Sequence, residues 1–372
     1  MAGTNSAFSK PAFLRTIVLT LAAIVILFFI DTFLASKERS ESLVEGARLY
    51  RAGQALMQKG EPAAAADQFR AALSVDRRNQ EFQLALSRAL SSADRFSDAE
   101  TMLADLLERD GTGGPANLAM ARVLAKEGRT TESVSYYHRA IYGQWAQNSL
   151  SNRVQARFEL VDLLISRNQT QGLLAELLPL EEEAPDDLPT RMKLGRLFLA
   201  AGSPARAADL YRQVLKTEPE SADAYAGLGQ SELARGNYRT AAQHFQTVLR
   251  LRPNDADAQR QLQLCSQVLT LDPTQRGLGI EERFERSTKV LDLLVDEIQT
   301  CPAAAAAGTL HDNLDAAQKA LKLNVRPAAQ SAIFESNLDL ADKLWQARKA
   351  QCNPPATSNQ DPLALVLNRL AQ

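Results

Sequence analysis

The stretch GLGQSELARGNYRTAAQHFQTVLRLRPND, which runs from Gly227 to Asp255, decides the fold of this chain. It has small residues at Gly229 and Ala241, where a surface helix would accept almost any side chain. Near its end stands Pro253, and a proline ends a helix because it has no N–H to donate. The stretch therefore raises the question of what keeps those two positions small.

The same pattern occurs 34 residues upstream, in LPTRMKLGRLFLAAGSPARAADLYRQVLKTEPES, residues 188–221. The matched pairs are Leu228 with Leu194, Gly229 with Gly195, Ala241 with Ala207, Phe245 with Tyr211, and Pro253 with Pro219. Self-similarity at a fixed period indicates a repeat array in which each repeat is one supersecondary unit.

This spacing resembles the tetratricopeptide repeat (TPR), whose signature distributes aromatic residues, Leu-Gly, Ala and Pro over 34 residues. The resemblance implies an all-α solenoid in which each repeat is two antiparallel helices. The small residues stand where the two helix backbones approach too closely for larger side chains. The late aromatic residue fills the space beside them, so packing between helices explains the two small positions.

The same frame extends toward the N-terminus. The predicted repeats span 46–79, 80–113, 114–147, 154–187, 188–221 and 222–255. The repeat at 154–187 departs most from the pattern, because Val161 and Leu173 occupy positions that are usually small. Residues 256–271 form a first helix only, which indicates a capping helix with a wet outer side. We therefore predict about six repeats and a cap over 46–271.

The composition of residues 1–35 differs from that of the repeats. The uncharged run 16–30 would reach roughly 22 Å as a helix, short of the roughly 30 Å hydrocarbon core, so the predicted membrane span extends over 13–34. Arg15 would then lie at one interface and Asp31 near the other. A cleaved signal peptide is the alternative, although no small-x-small motif follows the apolar run.

The membrane segment is predicted to be a signal anchor of a single-pass protein, with the bulk of the chain outside the cytoplasm, in the periplasm. A long following domain translocates largely regardless of its charge, although the basic residues on the two sides are balanced and leave a cytoplasmic location open. The anchor and the repeats together resemble single-span bacterial TPR proteins that hold partners beside the membrane.

Residues 280–352 are predicted to form a helical domain beyond the array. Apolar residues recur on one helix face over 280–300, Thr309 can cap a second helix that runs to about Leu323, and Pro327 can start a third. Residues 353–372 are predicted to be a linker and a short terminal helix, whose leucines dock on this domain or on another chain.

Two cysteines frame this helical domain. In an up-down-up bundle, Cys301 and Cys352 both follow helix C-termini and lie at the same end. One hypothesis is a disulfide between them, which would close a loop of about 50 residues. Two unrelated thiols are the alternative. The third cysteine, Cys265, is expected to be a packed residue of the capping helix.

Charge and residue counts argue against several functions. The 42 Lys and Arg residues against 44 Asp and Glu residues leave a formal charge of −2, which gives no reason to expect nucleic acid. The three His and three Cys residues lack the spacing of a zinc site or a catalytic triad. DGTGG at 110–114 lacks the Lys-Ser/Thr of a phosphate loop and is interpreted as a turn between repeats. We predict no catalytic residue, metal or cofactor.

The candidate contacts with a partner follow the small position of each first helix. In the TPR family that side chain tends to face the concave groove, and here the series reads Gln54, Arg88, Arg122, Asp162, Arg196 and Gln230. Arginine makes charge-assisted hydrogen bonds to carboxylates, which favours an acidic peptide or a partner's C-terminus. Alternatively, these side chains are solvated or paired within the array, for instance with Asp162 or Glu159.

The predicted function is a membrane-anchored, non-catalytic adaptor that binds a protein or peptide segment in its groove. One alternative is an enzyme whose active site lies in the helical domain, with the repeats recruiting substrate. Another is a structural homo-oligomer joined by the terminal helix.

Overall fold

A computed structural model describes residues 10–301, 308–352 and 360–370; for 10–18, 34–36 and 38–40 it describes the helical backbone alone. Within these ranges every regular element is a helix, apart from one isolated bridge between Gly113 and Gln144. The predicted all-α class is therefore confirmed. The chain divides into two compact units, Met1–Arg167 and Asn168–Gln372.

The first unit holds seven of the described helices: α1 Lys10–Gln58, α2 Pro62–Val75, α3 Gln80–Ser92, α4 Phe96–Arg109, α5 Gly114–Glu127, α6 Thr130–Ile141 and α7 Ser149–Ser166. The second unit continues the repeats with α8 Leu173–Glu183, α9 Leu188–Ala200, α10 Pro204–Thr217, α11 Ala222–Ala234, α12 Tyr238–Leu251 and α13 Ala256–Leu271. It ends with α14 Ile280–Gln299, α15 Thr309–Leu321, a 3-10 turn Pro327–Ala329, α16 Gln330–Gln351 and α17 Pro362–Leu370.

Local capping sets several helix starts. The N-cap side chains of α3, α9, α11 and α13 each accept a hydrogen bond from a backbone N–H of the first turn; they are Asn79, Asp187, Ser221 and Asp255. Each cap satisfies one of the N–H groups that a helix start leaves unpaired. Pro219 and Pro253 stand just beyond the ends of α10 and α12, where a proline cannot continue the helix.

Glycines on first helices face aromatic rings of second helices in three repeats. A Cβ atom added to Gly53, Gly195 or Gly229 would lie 2.5, 2.7 or 2.7 Å from the ring of Phe69, Tyr211 or Phe245, respectively. These distances are shorter than any ordinary carbon–carbon contact, and the three rings are buried. The buried rings leave no space for a side chain at these three positions, so each is glycine.

One apolar interior runs through the helices of the first unit from α1 to α5. At its start the Tyr50 ring stacks on Phe82, with centroids 5.2 Å apart, and lies 5.6 Å from Phe69. The first two hairpins share these rings, so neither of them buries its apolar face alone. Such sharing is the source of stability in repeat arrays.

The membrane prediction for residues 13–34 is wrong. Within the described part of the chain, no helix combines the length and the apolar character needed to cross a bilayer. The uncharged run 16–30 reaches only roughly 22 Å against a hydrocarbon core of roughly 30 Å, and a longer window takes in Arg15 or Asp31. The structure instead has one continuous helix, α1, whose end forms the first helix of the first repeat. The predicted single-pass, periplasmic localisation falls with the span, and so does the resemblance to membrane-anchored TPR proteins.

The capping helix α13 shares a core with the helices that follow it. Leu264 and Val268 of α13 belong to the same buried cluster as Leu291 and Leu294 of α14 and Trp345 of α16. The polar residues near the start of α13 remain largely at the surface. The last helix of the array is therefore also a wall of the helical domain.

The terminal helix α17 docks within the chain. Its apolar residues Leu363, Ala364, Val366 and Leu367 are buried in the same cluster. Trp345 Nε1 donates to Asn368 Oδ1 at 3.0 Å, and Arg369 Nη1 donates to Asp272 Oδ2 at 2.8 Å. These contacts account for the leucines of α17 without a second chain.

The boundary between the two units falls inside the predicted repeat 154–187, since α7 belongs to the first unit and α8 to the second. Val161 and Leu173, which break the small-residue pattern there, are both buried. Residues 1–9 of the predicted cytoplasmic N-terminus and residues 353–359 of the predicted linker lie outside the described residues. The division into segments 1–35, 46–271, 280–352 and 353–372 stays a prediction.

Candidate functional site

The six predicted groove residues all lie on first helices. Gln54, Arg88, Asp162, Arg196 and Gln230 are exposed, and Arg122 is half-buried. Each follows a residue that faces the second helix, and one step along a helix turns the side chain by about 100°. The first four residues of the series belong to the first unit, and the last two to the second.

A pocket of about 300 Å³ lies along the first helices of the first unit. The C-terminal half of α3, one face of α5, the loop before α7 and the start of α7 line it. Its apolar wall includes Leu84, Leu118 and Val123. Three cationic side chains line it as well, Arg88, Arg122 and Lys126, and none of the described lining residues is acidic. The pocket is thus apolar with a positive rim.

Arg122 is held by a carboxylate of the next repeat. Its Nε and Nη2 atoms donate to the two carboxylate oxygens of Glu159 at 2.8 and 2.7 Å, and Gln155 Nε2 donates to the same group at 3.0 Å. Burial opposes ionisation of Glu159, but the hydrogen bonds and charge of Arg122, together with hydrogen bonds from Gln155 and Tyr137, outweigh it and lower the pKa of Glu159. The same pairing raises the pKa of Arg122. Arg122 is therefore already neutralised inside the array.

Arg88 and Lys126 carry charges that no carboxylate neutralises among the described residues. Arg88 is exposed on α3 and lines the pocket. Lys126 Nζ donates to the backbone oxygen of Ser91 at 3.3 Å, which places the ammonium group beside the C-terminal turn of α3. The two cations therefore lie at one end of the pocket, and a ligand carboxylate would find both donors there.

An aromatic ring lies at the other end of the pocket. Trp145 packs so closely on Gly114, at the start of α5, that an added Cβ would approach its ring to 2.3 Å. Its Nε1 donates to the backbone oxygen of Ala140 at 2.9 Å, which satisfies the indole N–H. The half-buried ring offers the pocket apolar surface next to Pro115.

In the second unit, Arg196 and Gln230 stand on the exposed side of α9 and α11. Behind Arg196, burial raises the pKa of Tyr211 to about 12, although the nearby arginine opposes the shift. A Cβ on Gly227 would lie 2.3 Å from that ring. Gly195 of α9 and Gly227 of α11 thus leave the room that the buried Tyr211 ring occupies.

The repeats are identified by comparison with known families. A family model described as tetratricopeptide repeat matches residues 56–123, and another with the same description matches residues 192–259. The chain contains tetratricopeptide repeats. The matches run from the end of α1 into α5 and from α9 into α13, so TPRs occur in both units. TPR arrays typically bind protein or peptide partners.

Several solved TPR structures are similar in fold to this chain. YrrB, described as a TPR protein with an unusual peptide-binding site, is 18% identical, with 52% of this chain and 97% of that chain covered and a TM-score of 0.42. PilW, described as a widely conserved type IV pilus biogenesis factor, is 17% identical, with 57% of this chain and 96% of that chain covered and a TM-score of 0.42. PilF of Pseudomonas aeruginosa is 15% identical, with 59% of this chain and 96% of that chain covered and a TM-score of 0.42. No curated protein shows significant similarity to this chain.

The cysteines lie apart from the TPR pocket. The Sγ atoms of Cys301 and Cys352 are at bonding distance, 2.08 Å, with Cα atoms 5.9 Å apart, at the ends of α14 and α16. Cys265 is buried in α13, where burial raises the pKa of its thiol to about 11. The structure thus joins the two cysteines of the helical domain and encloses the third.

The glycine-rich loop at 110–114 forms a turn between repeats. The N–H of Gly114 donates to the Gln144 oxygen and the N–H of Gln144 to the Thr112 oxygen, both at 2.8 Å. These bonds use the N–H group at the start of α5 that a phosphate would need. Across the residues that the structure describes, no group of three or more His, Cys, Asp or Glu side chains is arranged to hold a metal ion.

Sequence reasoning overlooked two of the pocket's residues. Lys126 follows Arg122 by four positions and so shares its helix face, which a search for charged pairs at this spacing would have found. Trp145 lies in the loop after α6, and nothing in the repeat pattern predicts which helix its ring covers. The pocket therefore combines one predicted free cation, Arg88, with two unpredicted residues.

Proposed function

We propose that this protein is a non-catalytic adaptor that binds an extended segment of a partner protein along the first helices of its TPRs. The observation that carries the proposal is the pocket of about 300 Å³, whose rim has the unneutralised cations Arg88 and Lys126. An apolar cleft with a few convergent polar groups is the usual form of a binding site. TPR arrays present such surfaces to other proteins.

The charge of the rim favours an acidic partner segment. A carboxylate placed between Arg88 and Lys126 would accept charge-assisted hydrogen bonds from both, and these are stronger than bonds between neutral groups. Arg122 contributes differently, because Glu159 already occupies its guanidinium group. Its role in the proposal is to shape the pocket wall.

The remaining residues of the series complete the proposal. Gln54 stands on α1, next to the helices that line the pocket, and Asp162 stands on α7, beyond its lining residues. Arg196 and Gln230 stand on first helices of the second unit. Their exposed side chains make them candidates for further contacts with a longer segment. We propose them as secondary contacts, since the pocket itself is built without them.

Binding of immobilised peptides by the purified full chain tests this proposal. An array of random ten-residue peptides, graded in net charge, is probed with the wild type, Arg88→Ala and, as a matched control, Arg70→Ala. Arg70 is exposed on a second helix and pairs only locally, with Asp67. We expect binding to acidic peptides that weakens about tenfold in Arg88→Ala and is unchanged in the control. Binding that ignores peptide charge, or that survives Arg88→Ala, would contradict the proposal.

A further inference from the structure

The pocket in the first unit has two chemically different ends. Arg88 and Lys126 occupy the end near the C-termini of α3 and α5. Trp145 and Pro115 occupy the end near the N-terminus of α5. Because α5 runs the length of the pocket, the rise along this helix gives the distance between the two ends.

The middle of the pocket is electrically balanced. Arg122 lies between the two ends on α5, and Glu159 neutralises it through two hydrogen bonds. Leu118 and Ala119 lie beside it on the same helix and line the pocket. A ligand therefore meets positive charge at one end, a neutral and partly apolar wall in the middle, and an aromatic ring at the other end.

The separation fixes the length of the ligand. From Pro115 to Lys126 the rise of the helix is about 16 Å. An extended chain advances about 3.3 Å per residue, so about five residues span that distance. A helical ligand segment would need about eleven residues to do the same.

We infer that the pocket selects an extended partner segment with an apolar or aromatic side chain at one end and a carboxylate about five residues away, held by Arg88 and Lys126. This inference rests on the proposed function and names the ligand class of the same site. The order of the two groups along the partner chain follows from the same test. A carboxylate of Asp, of Glu or of the partner's own C-terminus supplies the same chemistry at the cationic end.

A set of soluble peptides tests the spacing without altering the protein. Each peptide has one Phe and one Glu in a Ser/Gly background, separated by two to nine positions in both orders, and Kd is measured by fluorescence anisotropy with the full chain. A parallel set replaces the Glu by a free C-terminal carboxylate, with amidated versions as controls. We expect the lowest Kd at a separation of about five and a rise of about tenfold at separations of two and nine.

Two protein variants assign the ends. Lys126→Ala is expected to raise Kd for Glu peptides about tenfold and to weaken the preference for Glu over Gln, with Arg88 retaining the rest. Trp145→Leu is expected to weaken the preference for Phe over Ser, whereas Tyr142→Leu, on the same loop and 75% exposed, leaves it unchanged. Circular dichroism of each variant checks that the helices are intact.

The outcomes separate the two claims. Peptides that bind, and that lose affinity in Arg88→Ala, but whose Kd is independent of the spacing would overturn this inference and leave the proposed function in place. Acidic peptides that do not bind, or that bind Arg88→Ala equally well, would overturn the proposed function and the inference with it.

Discussion

At the scale of single residues, the contact between a glycine and an aromatic ring defines the repeat. Gly229→Ala would place a methyl group 2.7 Å from the buried ring of Phe245. Overpacking costs about 1–3 kcal/mol, and a helical Gly→Ala change returns up to about 1 kcal/mol. We therefore expect a net loss of about 1–2 kcal/mol, seen as a lower midpoint of urea unfolding followed by circular dichroism.

The matched control for this prediction is the next residue. Gln230→Ala changes the same turn of α11 on its exposed side, where the new side chain meets no ring, and is expected to shift the free energy of unfolding by less than about 0.5 kcal/mol. If Gly229→Ala unfolds at the same urea concentration as Gln230→Ala, the ring is not what keeps the position small.

The three cysteines give a second prediction at this scale. In the folded chain Cys301 and Cys352 are bonded and Cys265 is buried, with its pKa raised by burial to about 11. A raised pKa keeps the thiol protonated at pH 8 and withholds the reactive thiolate. Iodoacetamide should therefore label no cysteine in the native protein, one after denaturation, and all three after denaturation with reductant. Labelling of three cysteines after denaturation alone, read by intact mass, would show that the bond does not form.

At the scale of helices, the docking of α17 depends on a buried carboxylate. Asp272 is only 1% exposed, and its Oδ2 is bound by Arg369 of α17. Arg369→Ala leaves that oxygen without its charged partner and is expected to cost about 1–3 kcal/mol. Faster hydrogen exchange of the α17 amides, measured by mass spectrometry, checks this prediction.

Arg260→Ala serves as the control for Arg369. Arg260 pairs with Asp257 on α13, and both side chains are largely exposed. Pairs of this kind contribute about 0–1 kcal/mol, so the α17 amides should exchange as in the wild type. Equal exchange in the two variants would show that apolar burial alone holds α17.

Helix positions were predictable because their signals are local. The caps Asn79 and Asp255 and the terminator Pro219 act within one turn of their own position, and the period of 34 residues places each hairpin. Side-chain partners were not predictable in the same way. Arg122 and Glu159 are 37 positions apart, and the choice among nearby carboxylates depends on how neighbouring helices stack.

The N-terminal segment shows the limit of composition as a guide. The uncharged run 16–30 predicted an anchor, but hydropathy and helix length together fall short of a bilayer span within the described residues. The terminal helix shows the opposite case. Its leucines predicted only that α17 must dock, and the structure supplies the site through Trp345 and Asp272.

At the scale of the whole molecule, TPRs occur in both compact units, and the first unit carries the pocket with two unneutralised cations. The repeats hold the pocket walls in place through contacts between neighbouring hairpins, such as Arg122 with Glu159. We therefore propose that Arg88 and Lys126, which the array leaves exposed, recognise the partner segment.

A charge exchange between protein and ligand tests this assignment most directly. Kd is measured for the wild type and for the double variant Arg88→Glu/Lys126→Glu, each with a Glu-bearing peptide and its Lys-bearing counterpart. We predict that the wild type prefers the Glu peptide about tenfold or more and that the double variant prefers the Lys peptide by a similar factor. An unchanged preference for the Glu peptide in a folded double variant would contradict the account.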